Sequence, residues 1–457
     1  MPTRVLVPSG VLGLGFDRDA LRAGIARGPD VISIDGGSTD SGPHYLGTGR
    51  SKYSRASTLA EWQVLLEAGT GSGIPVILTS AGTCGTDATV DWMVEITDEA
   101  AKRLQKKLRV AVLKSSQTST AIARAINTDR VSPLAHGPAL TVETVERCQN
   151  IVALAGIEQI GAAIQTGADV VIAGRATDTA GIAALPILNG ENLGSAWHGA
   201  KIGECGALCS TRPMSGVIEI EFDNEGCTVE PMAATARCTP ESVAAHMLYE
   251  NADPFELLEP GGRLDVRQAT YRALSERRVR IEGARWQPSP TYDVKLEGAG
   301  PAGFQTMTLV ILRNERYVAN AQDWVGNLGK FLEGEIPSRT GFAPGSYSVE
   351  FRLIGINAAL GSLEFKDNLP NEVGVLFIAT SSTQERATEI AKLANPFLLH
   401  FPLSETEELP TFAFPFSPAE SERGAIFEFL LNHVMILDQP MDAFRLAIVE
   451  VGNGALR

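Results

Sequence analysis

The sequence predicts an α/β fold in two parts: an open, parallel, Rossmann-like sheet between two helical layers, followed by an α+β part with largely antiparallel strands. In the first 215 residues, short β-branched runs end in small polar loops that open amphipathic stretches, the alternation typical of βαβ units. From residue 216 onward, apolar and polar residues alternate along the strands, which favours antiparallel pairing.

The predicted strands of the first part are apolar nearly throughout, as expected when helices cover both faces of a sheet. These strands are Arg4–Val7, Asp30–Asp35, Pro75–Thr79, Leu108–Leu113 and Asp169–Ala173. The helices predicted between them are Asp17–Arg27, Ser57–Ala68, Asp87–Gln105, Thr118–Ile126 and Val142–Leu154. We therefore assign residues 1–215 to one parallel α/β domain that carries the active-site loops.

The second predicted domain, residues 216–457, begins with the alternating strand Val217–Phe222 and a turn at 223–226. Its further strands and helices are predicted at Met307–Leu312, Ser348–Ile354, Val373–Ala379, Pro240–Tyr249 and Gln384–Leu393. A proline-rich segment, 402–418, then precedes a C-terminal helix predicted near Gly424–His433.

The composition is that of a globular protein rather than a disordered one. Hydrophobic residues make up 44% and charged residues 20% of the chain. A net charge of −15 disfavours binding to nucleic acid or to an anionic membrane surface. The six cysteines lack the spacing of a disulfide framework, and no apolar run is long enough to span a bilayer. We expect a cytoplasmic protein.

Glycine, hydroxyl and acidic residues cluster in three loops that follow predicted strands. In open parallel sheets, ligands bind beyond the carboxyl ends of the strands. The candidate catalytic residues in these loops are Asp40, His44, Cys84, Asp87 and Asp178. The candidate substrate-binding residues are Gly36, Gly37, Ser38, Gly82, Thr83, Gly85, Arg175 and Thr177. Ordinary helix caps and turns use the same residue types, but their recurrence at three strand ends favours a site.

Two further groups of residues complete the candidate site. Glu204 and Cys205 join the catalytic candidates, with Lys201 nearby, although their glycine-bounded block also fits a close-packed domain junction. His136 lies in a predicted strand-end loop suited to acid–base chemistry, and we add His136, His198 and Lys201 to the substrate-binding candidates.

The acidic residues of the loops do not decide whether the site uses a cofactor. Asp35, Asp40, Asp87 and Asp178 can converge as a cage for a hard metal ion or as an acid–base pair. No ligand spacing is diagnostic, so we assign no metal ligands. The glycines at 10, 13 and 15, with Asp35 twenty residues further on, imitate a dinucleotide fingerprint with non-standard spacing. Gly10, Gly13, Gly15 and Asp35 are therefore candidate contacts for NAD(P), with a plain tight turn as the alternative.

Several blocks of the chain resemble the acyclic terpene utilisation family. The most specific are Leu248–Pro254 and Glu259–Gly262, accompanied by Ala173–Asp178 and Glu204–Gly206. The resemblance covers most of the chain and implies a cytoplasmic catabolic enzyme, in some members accompanied by a small companion subunit. This chain has Lys201 where the family has a histidine, so a small carboxylate or its thioester is as open as a terpenoid substrate.

We therefore expect a lyase, hydratase or isomerase that removes a proton next to a carboxylate or thioester carbonyl. Arg175 would anchor the anion, Asp40 or Asp178 would be the base, and backbone amides around Gly82–Gly85 would stabilise the enolate. This hypothesis requires no cofactor, while a divalent metal ion or NAD(P) stays open. The alternatives are an NAD(P)-dependent oxidoreductase and a non-catalytic ligand-binding subunit of a two-component enzyme. We expect a homo-oligomer.

Overall fold

A computed structural model describes residues 2–134, 137–249, 251, 253–364 and 369–452 of the chain. The chain forms two compact units, one made of Met1–Gly300 with Glu428–Arg457 and the other of Pro301–Phe427. Among the described residues, no helix combines the length and the apolar character that crossing a membrane requires.

Strands and helices follow one another closely along both units. The strands are β1 (Thr3–Val7), β2 (Val31–Asp35), β3 (Val76–Thr79), β4 (Leu108–Lys114), β5 (Ser116–Gln117), β6 (Val131–Pro133), β7 (Asn150–Ala153), β8 (Val170–Ala173), β9 (Ile218–Phe222), β10 (Gly226–Pro231), β11 (Glu256–Glu259), β12 (Gly262–Asp265), β13 (Thr270–Ala273), β14 (Val279–Glu282), β15 (Arg285–Pro288), β16 (Tyr292–Leu312), β17 (Tyr347–Ile354), β18 (Val373–Ser381), β19 (Glu420–Leu437) and β20 (Arg445–Val451). The helices are α1 (Arg18–Ile25), α2 (His44–Thr48), α3 (Arg55–Ser72), α4 (Asp87–Leu104), α5 (Ser119–Asn127), α6 (Val142–Glu146), α7 (Ile157–Gln165), α8 (Ala180–Leu188), α9 (Leu193–Gly203), α10 (Pro240–Ala245), α11 (Glu315–Ala319), α12 (Ala321–Thr340) and α13 (Gln384–His400).

The first unit contains the predicted open parallel sheet, in the order β1-β2-β3-β8-β4. Alternate side chains of its strands face opposite layers. Leu6 and Ile32 pack in the core with α1, α3 and α4, whereas Val5 and Val31 pack in the core with α8 and α9. The α/β fold with a three-layer parallel part is therefore confirmed.

Antiparallel strands extend this sheet at both edges. β9 pairs antiparallel with β1, with Val5 opposite Ile220, and β10, β14 and β13 follow outward. At the other edge, β20 pairs antiparallel with β4. The domain boundary that we predicted after residue 215 consequently falls inside the first compact unit, because hydrogen bonds between β9 and β1 continue one sheet across it.

Two helix predictions are wrong in part or in full. The helix predicted over Val142–Leu154 ends at Glu146, and its second half is the strand β7, which pairs with β5 and with part of β16. The C-terminal helix predicted near Gly424–His433 lies in the strand β19, whose residue His433 pairs with Pro133 of β6. Short apolar runs fit either structure by periodicity, and pairing partners distant in sequence decide between them.

The second unit is α+β with antiparallel strands, as predicted. β17, β18 and the Phe304–Leu312 part of β16 pair antiparallel. The helices α12 and α13 pack on this sheet around Trp324, Leu328 and Phe377. The three strands predicted in this part of the chain fall within these strands.

Candidate active site

A cavity of about 650 Å³ opens within the first unit beside the carboxyl ends of the parallel strands. Asp40 reaches it from the loop after β2, and Arg175, Thr177 and Asp178 reach it from the loop after β8. Opposite them, the hairpin of β11 and β12 contributes Glu259. This volume lies in the range of ordinary small-molecule sites, about 300–1,000 Å³.

The cavity has a charged part and an apolar part. Its charged lining includes Lys201 and Glu204 at the end of α9, together with Lys295. Its apolar lining includes Leu134, Leu154, Leu257, Leu258 and Val434. Such a surface suits a ligand with a hydrocarbon portion and a charged or polar head group.

Arg175 is a fixed buried cation, with 4% of its surface exposed. Its Nε donates to Oε2 of Glu297 at 3.1 Å, and its Nη1 donates to Oγ of Ser80 at 3.1 Å. Asp178 lies 3.5 Å from the same Nη1. Burial opposes the charge, but attraction to Glu297 and Asp178 raises the pKa of Arg175 above its ordinary value. No hydrogen-bond partner of Nη2 is seen among the described residues.

Glu297 is the buried counter-charge that holds Arg175 in place. It also accepts hydrogen bonds from Thr39 at 3.0 Å and from Lys295 at 3.0 Å. Burial alone would raise the pKa of Glu297, but attraction to Arg175 and Lys295 lowers this pKa to about 2. Glu297 therefore stays ionised and structural, because its oxygens are engaged by these three donors.

Glu259 differs from Glu297 because no cation is paired with it among the described residues. Thr179 donates to its Oε1 at 2.5 Å, while Oε2 is buried and has no hydrogen-bond partner in the described part of the chain. Burial raises the pKa of Glu259 to about 7. A carboxyl group with a pKa near 7 exchanges protons readily at neutral pH.

Lys201 and Glu204 form a buried ion pair at the end of α9. Both side chains are about 5% exposed, and Lys201 donates to Oε1 of Glu204. Burial opposes the charge of Lys201, but the neighbouring Glu204 carboxylate raises the pKa of Lys201. The sequence placed these residues in the site or at a domain junction, and the structure brings both to the cavity wall.

The loop after β3 supports the site without lining it. Gly85 has φ +61°, and a Cβ on it would lie 2.1 Å from the backbone nitrogen of Arg175. The amides of Thr83, Cys84 and Gly85 already donate to carbonyls within this loop, at 2.9 to 3.2 Å. These amides are therefore not available as the enolate-binding groups that we expected, and Gly82, Thr83 and Gly85 shape the backbone beneath Arg175.

The loop after β2 likewise reaches the cavity only through Asp40. The amide of Gly36 donates to the Thr79 carbonyl at 2.8 Å, and the amide of Gly37 donates to Asp35 at 2.5 Å. The hydroxyl of Ser38 accepts from the Asp40 amide at 3.3 Å. These three residues set the course of the loop, and none is among the described residues that line the cavity.

Several predicted catalytic residues lie elsewhere. Cys84 is fully buried among Leu46 and other apolar groups. Asp87 begins α4, where it accepts from the Ser116 amide at 3.1 Å and pairs with Arg445. His44 is exposed at the start of α2, beside the Tyr45 ring. Among the charged candidates of the strand-end loops, the cavity brings together Asp40, Arg175 and Asp178 but not Asp87.

The two histidines assigned to substrate binding do not line the cavity in the described part of the chain. His198 is fully buried in α9 and hydrogen-bonds through Nε2 to the Tyr271 hydroxyl at 3.0 Å. Burial lowers the pKa of His198 to about 3, so this imidazole is neutral. His136 lies outside the described residues.

The residues of the dinucleotide-like pattern make other contacts. A Cβ on Gly10 would lie 2.8 Å from Cα of Cys205, and the amide of Gly13 donates to Glu61 at 2.7 Å. Asp35 accepts from Thr79 at 2.6 Å as well as from Gly37. Burial and nearby Asp178 raise the pKa of Asp35 to about 7. These residues do not fit a nucleotide, because the carboxylate meant for a ribose is engaged inside the protein.

One group of side chains has the residue types and spacing of metal ligands. Among the described residues, Glu204, Cys205 and His246 bring one ligand atom each within 4.8 Å of one another. The aspartates that we considered as a hard-metal cage form no such group in the same part of the chain. We predicted no metal ligands from the sequence, since no ligand spacing is diagnostic, and His246 lies 41 residues beyond Cys205 with no short motif that links them.

Sequence reasoning missed Glu259, Glu297 and Lys295 as site residues. Glu259 belongs to a family block that we singled out, so a signal for it existed. Glu297 and Lys295 lie in β16 with no local feature that marks them. The fold alone brings them to Arg175, 122 residues away from Glu297.

The fold and the cavity define an α/β protein with a cavity of small-molecule size beside the carboxyl ends of its parallel strands. The chain belongs to the family described as acyclic terpene utilisation family protein AtuA, whose model matches residues 48–413. The searches of curated proteins and of solved structures find no match to the chain.

Proposed function

We propose that the chain is a cytoplasmic catabolic enzyme, a lyase, hydratase or isomerase, that removes a proton next to the carbonyl of a small carboxylate or acyl thioester. The family name supports a catabolic role, and an acyclic terpenoid acid is one member of this substrate class. The observation that carries the proposal is Glu259, which lines a cavity that also holds cations and whose buried carboxyl group has a pKa of about 7 and one oxygen without a partner among the described residues.

Glu259 is the base in this proposal. Its Oε2 takes the proton from the carbon next to the carbonyl, while Thr179 holds Oε1 and fixes the carboxyl plane. The electron pair left on carbon moves into the carbonyl as an enolate. From there, expulsion of a leaving group gives a lyase or hydratase reaction, and return of the proton to another carbon gives an isomerisation. Asp40 and Asp178, the two bases first considered, also line the cavity, and Asp178 forms an ion pair with Arg175 at 3.5 Å.

The cations of the cavity receive the negative charge. Lys201 and the Nη2 group of Arg175 are donors that can face a carboxylate or a developing enolate. Fixed donors in a site that excludes water stabilise such charge more strongly than water does. The apolar wall of Leu154, Leu257 and Leu258 would hold the hydrocarbon part of the substrate.

The test begins with a thermal-stability screen of carboxylates and acyl thioesters, since a ligand that binds only the folded state raises its melting temperature. Each ligand found is then incubated with the protein in D₂O, and deuterium at the carbon next to the carbonyl is followed by NMR. We expect exchange with the wild-type protein and its loss in Glu259→Gln. Equal exchange in both proteins would remove Glu259 from the mechanism.

Two other functions remain as outcomes of these experiments. Binding of NAD or NADP in a calorimetric titration would favour an oxidoreductase. The hydrogen bonds that Asp35 accepts from Gly37 and Thr79 argue against this outcome, because they engage the carboxylate that would bind the ribose. A chain that binds a carboxylate, is inactive alone and gains activity with a co-purified small partner would be a subunit of a two-component enzyme. The oligomeric state, proposed to be a homo-oligomer, is measured by light scattering on the same samples.

A further inference from the structure

We propose that Glu204, Cys205 and His246 bind a divalent transition-metal ion of the zinc type at the edge of the cavity. Their ligand atoms already lie within 4.8 Å of one another. Zinc bonds of about 2.0–2.3 Å in a tetrahedron would bring such atoms to separations of roughly 3.3–3.8 Å. The required contraction is at most about 1.5 Å, a distance within the reach of side-chain rotations.

The backbone holds the three residues at one place. Glu204 follows the last residue of α9, and Cys205 precedes a 3₁₀ turn at Gly206–Cys209. His246 begins a second 3₁₀ turn, His246–Leu248, directly after α10. This turn packs against α9. The loop at Gly10 lies against Cα of Cys205, closer than any side chain would allow. The position of Cys205 is therefore fixed by packing.

An independent observation at His246 points to a ligand. The side chain is 4% exposed, and its Nε2 atom is buried without a hydrogen-bond partner among the described residues. A buried polar nitrogen with no partner costs about 1–3 kcal/mol. The imidazole stacks on the Tyr249 ring with a centroid separation of 5.5 Å, which orients it. A metal ion would satisfy this nitrogen and explain an otherwise unfavourable arrangement.

The ligand types select the ion. A thiolate, an imidazole and a carboxylate together suit zinc and its neighbours in the first transition series, whereas magnesium and calcium prefer oxygen ligands alone. Three protein ligands leave a fourth position open, as in catalytic rather than structural zinc sites. Because Glu204 lines the cavity, the open position on the metal ion would face the cavity. Lys201, the present partner of Glu204, would then release one carboxylate oxygen.

Metal binding is measured directly on the purified full chain. The protein is stripped with a chelator, and Zn²⁺ is titrated in competition with a chromophoric chelator. Co²⁺ is added to a parallel sample, because a thiolate ligand gives cobalt a charge-transfer band in the near ultraviolet. We expect one ion per chain, and we expect Cys205→Ser to abolish this band and weaken Zn²⁺ binding at least tenfold. His246→Gln should weaken Zn²⁺ binding to a similar extent.

Matched controls separate loss of a ligand from loss of the fold. Cys148 is partly buried like Cys205 but lies outside the cluster, so Cys148→Ser should keep both the band and the affinity. The thermal transition of each stripped variant shows whether it is folded. Absence of Zn²⁺ binding by the wild-type protein, or a charge-transfer band that persists in folded Cys205→Ser, would overturn the proposal.

The metal site goes beyond the proposed function and is tested separately from it. Glu259 is not in the cluster, so Glu259→Gln should bind Zn²⁺ as the wild-type protein does while losing proton exchange. Failure of the metal site leaves the role of Glu259 untouched, and failure of proton exchange leaves the binding measurement intact.

Discussion

Thr179, in the loop after β8, donates a hydrogen bond of 2.5 Å to Oε1 of Glu259 at the end of β11. This contact joins a loop of the parallel sheet to a separate antiparallel hairpin. It occupies one oxygen of a buried carboxyl group, while the other, Oε2, is buried without a hydrogen-bond partner among the described residues. In the proposed chemistry, Thr179 holds Oε1 in place and Oε2 accepts the proton.

Replacing Glu259 by glutamine should lower turnover strongly. The amide keeps the shape of the side chain but cannot accept a proton, and general-base catalysis contributes roughly 10²–10⁴-fold to a rate. We expect kcat to fall by that factor while KM changes little. The control is Glu256→Gln, on the same strand, because Glu256 is not among the described residues that line the cavity and its ion pairs with Arg267 and Arg263 are partly exposed. A Glu259→Gln variant with wild-type turnover would end the assignment.

The same substitution should stabilise the protein at alkaline pH. The folded state raises the pKa of Glu259 from 4.5 to about 7, so folding disfavours its ionised form. Between these two values the folded state binds more protons than the unfolded state, and stability falls as the pH rises. We expect the gain in unfolding free energy of Glu259→Gln over wild type to grow by up to about 3 kcal/mol from pH 4 to pH 8. Urea denaturation at several pH values measures it, and a gain independent of pH would contradict the raised pKa.

Removing the charge of Arg175 should destabilise the fold. Arg175→Met leaves Glu297 buried and short of its main counter-charge, and breaking such a pair costs roughly 3–5 kcal/mol. The double variant Arg175→Met/Glu297→Leu should recover at least about 1 kcal/mol, because the stranded charge is gone. Arg352→Met, which breaks an exposed pair with Glu350, should cost no more than about 1 kcal/mol. Additive losses in the double variant would show that the two side chains are not coupled.

Asp87→Ala should affect stability and leave catalysis alone. Asp87 ties the start of α4 to the Ser116 amide and to Arg445, so we expect a loss of about 1–2 kcal/mol. Steady-state kinetics of the folded variant should match wild type within about twofold, since no rate-determining contact is lost. A large fall in kcat without a change in stability would return Asp87 to the site.

Gly85→Ala should lower both the stability and the turnover of the protein by displacing the backbone of Arg175. The new Cβ would lie 2.1 Å from the backbone of Arg175, and the residue would have to keep φ +61°. We expect a loss of at least about 2 kcal/mol together with lower turnover, because the strand end that carries Arg175 must move. Gly71→Ala, in α3 with open space around the new Cβ, should be neutral or stabilising by up to about 1 kcal/mol. Thermal melts of both variants make the comparison.

The sequence by itself determined the α/β class and the parallel strands, and it singled out the loops after β2 and β8, which both reach the cavity. These follow from local patterns: apolar runs of strand length, and polar loops that begin helices. Arg175 and Asp178 could be selected because charged residues stand out in a loop after a buried strand.

Tertiary structure alone decided which of those residues work together. Asp87 and Asp178 occupy equivalent places after parallel strands, yet Asp87 is engaged by Arg445 from β20 while Asp178 faces the cavity. Glu259 and Glu297 belong to strands that lie far along the chain from Arg175 and Asp178. Although both are glutamates, the pKa of Glu259 is about 7 and that of Glu297 is about 2. Burial and the nearest counter-charge set these properties, and both depend on contacts between residues that are distant in sequence.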